Sequence, residues 1–168
     1  LFYGGLVSFN ISAAGLMSDV PAGAQALSLE GEALYAADPG AGTVANLDAA
    51  RAVYEADPND ADNIIWFGRR SAYAGDYRRA IEIFSEGAEK FPEDPRFYRH
   101  RGHRYLSIRE FEPATADFER AVELMQGLAV TVEPDGLPNA QDIPLTTTQG
   151  NVWYHLGLAY YLQQDWPR

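Results

Sequence analysis

The sequence predicts an all-α fold in which antiparallel helix pairs stack side by side, with an extended N-terminal arm and one long loop insertion. Three observations carry this expectation. Residues 63–124 hold one 34-residue unit written twice: Gly68 returns as Gly102, Tyr77 as Phe111, Ala80 as Ala114, Phe84 as Phe118 and Gly87 as Ala121. Within the unit, Gly75-Asp76 and Asp94-Pro95 punctuate helix-length apolar patterns, with Pro95 in a first turn where its missing N–H costs nothing. A third, incomplete copy opens at Trp153 and reads Trp153-x2-Leu156-Gly157-x2-Tyr160.

A helix pair cannot bury its apolar face alone, so pairs must stack, and stacking requires small residues where helices cross. Gly68, Gly102, Gly157, Ala80 and Ala114 fit that need, while Tyr77, Phe84, Phe111 and Phe118 fill the space between helices. A glycine inside a helix costs about 1 kcal/mol against alanine, so each is expected at a close approach. Ala80-x3-Phe84 followed by Pro92, Ala114-x3-Phe118 and the Trp153 pattern resemble the tetratricopeptide repeat. That resemblance implies a right-handed superhelical stack and a protein- or peptide-binding scaffold.

In chain order, residues 1–23 read as an N-terminal arm, extended or poorly ordered, in which residues 7–12 alternate apolar and polar like a half-buried strand. Residues 24–60 read as a degenerate first repeat or cap. Residues 24–37 suit either a helix or an extended segment, Asp38-Pro39-Gly40 and Gly42 mark a loop, and a helix follows from Asn46 or Leu47 to Ala56. Repeats then occupy 61–168, with helices expected near 61–74, 77–90, 94–107 and 112–126. Gly102 to Gly157 exceeds the repeat length by 21 residues, which places a loop insertion at 127–150, rich in proline and turn signals. The pattern of the third copy stops where its second helix should begin, so the natural protein is expected to continue beyond Arg168.

The net charge is −11, distributed unevenly: the two full repeats carry eleven acids and eleven bases, and the flanks carry the excess acid. That acidity argues against nucleic-acid binding, and no run is apolar enough for a membrane span. With no cysteine, no phosphate-binding glycine loop and no nucleophile elbow, the sequence points to no enzyme and no cofactor. His100, His103 and His155 lack metal-binding spacing and read as helix-surface residues, so no metal is expected. Arg101 stands where Phe67 and Leu156 stand in the other copies, so it needs an acid from an adjacent helix. The cysteine-free, acidic composition leans towards an extracytoplasmic protein, periplasmic or secreted.

In tetratricopeptide repeats the concave face is lined by positions 2, 5, 9, 12 and 13 of each first helix. By resemblance these are Asp62, Ile65, Arg69, Ala72 and Tyr73, then Arg96, Arg99, His103, Leu106 and Ser107, then Asn151, Tyr154, Leu158, Tyr161 and Leu162. Arg69, Tyr73, Arg96, Arg99, His103, Tyr154 and Tyr161 form the expected binding set. Guanidinium forks suit carboxylates and tyrosines give contact area at low entropic cost, so an acidic or carboxylate-bearing segment is the expected ligand. The alternative is a structural subunit of a homo-oligomeric or filamentous assembly, joined through repeat ends and the N-terminal strand.

Overall fold

The computed structural model describes residues 20–28, 30–133, 140–143 and 146–164. The expected strand at 7–12 lies outside them, as does most of the 1–23 arm. The chain divides into two compact units, Leu1–Ala36 and Ala37–Arg168, a division that falls inside the 24–60 segment.

In the first unit, β1 (Ala26–Leu27) and β2 (Ala33–Leu34) pair antiparallel with Ala26 opposite Leu34. The extended reading of this stretch therefore holds and the helical one does not. Ser28 organises the turn: its hydroxyl accepts from the Glu30 and Glu32 amides, and Gly31 supplies the left-handed backbone at φ +83.

The second unit contains α1 (Gly40–Ala56), α2 (Ala61–Tyr73), α3 (Tyr77–Lys90), α4 (Pro95–Ser107), α5 (Phe111–Leu124) and α6 (Thr148–Leu162). No strand lies within 45–126. Helix α1 begins six or seven residues earlier than expected. Asp38 accepts from the Gly40 amide and Pro39, at the N-cap, is preset at φ −68, so the Asp-Pro-Gly triplet leads into a helix that takes in Gly42 rather than marking a loop. Four of the later helix starts follow side-chain caps, Asp60 on Asn63, Asp76 on Arg79, Asp94 on Arg96 and Thr147 on Gly150, whereas α5 begins after Glu110 without one. Thr147 also corrects the insertion, because residues 148–150 already belong to α6.

The repeat is visible in the backbone as well. Gly75, Arg109 and Gln164 hold register-equivalent places after α2, α4 and α6, and all three are left-handed, at φ +84, +64 and +59. The turn geometry is imposed by the repeat even where no glycine supplies it.

Packing follows the small-over-aromatic rule read from the sequence. A Cβ added to Gly68 would stand 2.5 Å from Phe84 Cε1, and one added to Gly102 would stand 3.0 Å from Phe118 Cε1. Gly87 is a third such site, against Phe97 of the next pair. Gly157 differs: among the described residues nothing lies within 4 Å of the corresponding point, so the expected crossing is not seen there. Ala80 and Ala114 are fully buried, as expected. One core cluster gathers Ile64, Phe67, Phe84 and Phe97, and a second gathers Phe118, Val152 and Leu156, with Tyr98 packed against both.

Arg101 finds its acid on α5. Its Nε and Nη2 donate to Asp117 Oδ2 and Oδ1 at 2.8 and 2.7 Å, and Nη1 donates to Ser85 Oγ at 3.0 Å. This bidentate pair seats a guanidinium among otherwise apolar positions by satisfying it from both neighbouring helices.

Candidate functional site

Among the described residues, α2 approaches α4 and α4 approaches α6, while the backbones of α1, α3 and α5 stay apart from one another. The first helices thus form the inner row of the stack, and their outward positions make one continuous face. Ile65 and Ala72, taken from the resemblance as groove positions, are buried at 5% exposure each, so the face is narrower than the resemblance implies.

Between α2 and α4 this face sinks into a cleft of about 110 Å³ lined by Arg69, Tyr73, Arg99, His103 and Arg104, with Ala72, Phe84 and His100 beneath. Four of the seven expected residues therefore converge: Arg69, Tyr73, Arg99 and His103. Arg69 donates to Tyr73 Oη at 3.0 Å and lies over the Trp66 ring at 4.4 Å. The i, i+4 spacing on α2 puts its guanidinium beside the phenol, and Tyr73 keeps half its surface exposed.

Arg96 is directed elsewhere. Its guanidinium meets Asp94 at 2.6 Å and Asp62 of α2 at 2.6 Å, bridging two first helices exactly one repeat apart in sequence, and it stays protonated under the Asp94 hydrogen bonds. Arg99 is nearly buried and already holds an acid: Glu133, from the base of the insertion, pairs with it, and Arg99 Nε donates to Asn151 Oδ1 at 3.3 Å. Glu133 is positioned by a bridge between Val132 and Thr147 that closes the insertion's two ends beside α6.

The histidines depart from the surface reading. His100 stacks on Phe84 at 5.5 Å, and His103 packs against Phe118 at 5.3 Å and His155 at 4.1 Å. Burial is the main cause that holds His100 and His103 well below their ordinary values, with Arg99 adding repulsion to both and His155 to His103. Burial also lowers His155, whose Nδ1 lies 2.8 Å from the Asn151 carbonyl. His103 Nε2 is buried with no hydrogen-bond partner. Among the described residues, no group of three or more His, Asp or Glu side chains is arranged to hold a metal ion.

Tyr154 and Tyr161 stand on α6, 68% and 61% exposed, outside the cleft but on the same row of helices. Tyr154 meets the His155 ring edge-on at 5.0 Å. Sequence reasoning did not include Arg104 and His100 in the set. Both sit on α4, at helix positions just outside the five taken from the resemblance.

No protein family's sequence profile matches the chain, and no curated protein matches it in sequence. Its fold is shared by solved structures. The type III secretion translocator chaperone SycD of Yersinia enterocolitica is 20% identical, with 73% of this chain matching 75% of that one at a TM-score of 0.57. SycD in complex with a peptide of the translocator YopD matches at the same identity and TM-score, over 82% of its length. PcrH, known from Pseudomonas aeruginosa, in complex with the chaperone-binding region of PopD, is 16% identical with a TM-score of 0.55 over 74% of this chain and 80% of that one. At these identities the likeness establishes a shared helical-repeat fold.

Proposed function

We propose that this chain is a peptide-binding scaffold of the tetratricopeptide-repeat type, with no catalytic activity of its own. Its ligand is an acidic or carboxylate-bearing segment of a partner protein, held on the row formed by α2, α4 and α6. The observation that carries this reading is the convergence of Arg69, Arg99 and His103 on one cleft beside the exposed ring of Tyr73. Glu133 supports it, because Arg99 already accepts a carboxylate in this position. The same fold holds a peptide of the translocator YopD in the SycD complex and the chaperone-binding region of PopD in the PcrH complex, which supports the binding mode in kind.

The test is calorimetric titration of an acidic peptide into the wild-type chain and the Arg69→Ala, Arg99→Ala double variant. The double variant is expected to bind at least about tenfold more weakly, near 1.4 kcal/mol, with unchanged helicity. Equal affinity in the two proteins overturns the reading.

A further inference from the structure

Helix α4 carries four arginines, and three of them are answered by acids. Arg96 meets Asp62 and Asp94, Arg99 meets Glu133, and Arg101 meets Asp117. Arg104 is the exception. Its guanidinium makes no hydrogen bond or ion pair among the described residues and rests over the Tyr77 ring at 5.6 Å. Beside it in the same cleft, His103 Nε2 is buried without a partner. Among the described residues no carboxylate lines the cleft, whose polar groups are Arg69, Tyr73, Arg99, His100, His103 and Arg104.

We propose that the α2–α4 cleft is a carboxylate-binding subsite in which Arg104 supplies the counter-charge and His103 a second polar contact. A guanidinium fork offers two parallel N–H donors to the two oxygens of a carboxylate. A cleft of about 110 Å³ holds such a headgroup with little else, given that water takes about 30 Å³ per molecule. Burial, with a smaller contribution from the neighbouring Arg69, lowers Arg104 from its ordinary value, so an anion placed beside it would relieve an uncompensated charge. The inference rests on the scaffold reading for the source of the carboxylate, an Asp or Glu side chain or chain end of the bound segment. The cleft itself does not depend on that reading.

The experiment follows the arginine Nε–Hε and histidine side-chain resonances of the 168-residue protein. Sodium acetate and inorganic phosphate are titrated separately against sodium chloride at constant ionic strength. Acetate is expected to shift Arg104 and His103 saturably, and Arg104→Met to abolish the shift with helicity intact. If the Met variant loses helicity, Arg104→Lys replaces it and is expected to bind acetate about tenfold more weakly, since it keeps the charge but not the fork. A linear response to acetate, or saturation unchanged in the variant, overturns the proposal. Saturation by phosphate with acetate silent overturns the carboxylate assignment. A second arm compares a capped pentapeptide bearing one central Glu with its Gln twin. Wild type is expected to prefer Glu about tenfold and Arg104→Met to bind the two alike. Acetate saturation with neither peptide binding supports the subsite while overturning the scaffold reading.

Discussion

Gly87 of α3 lies flat against the ring of Phe97 in α4, so close that a Cβ at this position would overlap the aromatic carbons. The contact joins one repeat to the next, and Phe97 is fully buried within the first core cluster. Gly87→Ala is therefore expected to destabilise the protein by roughly 1–3 kcal/mol, with Gly68→Ala similar and Gly102→Ala milder. Gly157→Ala meets nothing among the described residues and should gain roughly 0.5–1 kcal/mol from helix propensity. Urea unfolding of the four variants checks the order; a destabilised Gly157→Ala contradicts the packing described.

The Arg101–Asp117 pair is held at 19% and 7% side-chain exposure. Removing one partner strands the other charge, so Asp117→Ala is expected to cost roughly 3–5 kcal/mol. The joint replacement Arg101→Met, Asp117→Leu should recover most of that loss, because it removes both charges together and leaves the neutral Ser85 hydroxyl as the polar group there. A double-mutant cycle by chemical denaturation measures the coupling, and additive losses would rule the pair out as a unit.

Stability should fall as the solution is acidified through the histidine range. His100, His103 and His155 all titrate below their ordinary value in the folded state, mainly through burial. The unfolded chain therefore binds more protons once the pH drops below about 6.5, and unfolding is favoured by up to about 1.4 kcal/mol per pH unit for each imidazole. Above that pH their contribution is complete. Denaturation at pH 7.5 and 5.5 should show the difference, and His100→Gln should flatten it.

Glu133 competes for the group that the proposed ligand would use. Releasing Arg99 with Glu133→Gln is expected to tighten binding of an acidic peptide three- to tenfold, about 0.7–1.4 kcal/mol. Calorimetry decides this, and an unchanged affinity means that Arg99 serves only to anchor the insertion.

The helical pairs were legible in the sequence because each position of the repeat answers to one local demand: an aspartate to cap, a glycine to admit a ring, a proline in a first turn. Arg101's need for an acid was legible for the same reason. The site was read less completely. Arg96 and Arg99 look alike in sequence, and only the fold decides which one meets Asp62 and which Glu133. Glu133 reaches Arg99 because the insertion's ends pair at Val132 and Thr147, a long-range contact that no local spacing encodes. The histidines were misplaced because a half-polar ring fits a surface or an aromatic stack equally well, and here Phe84 and Phe118 provide the stack.

Helix α1 buries none of its residues fully, and only Leu47 and Tyr54 lean on the first core cluster. Within the second unit it stands at one end of a row, with α6 at the other, in which each member rests chiefly on its immediate neighbours. Such a row melts like a zipper rather than a sphere, since losing an edge helix removes a single interface. Amide protons should record this as a gradient of protection, fastest to exchange in α1 and slowest where Gly87 locks α3 to α4. Loosening the edge would then leave the cleft between α2 and α4 standing.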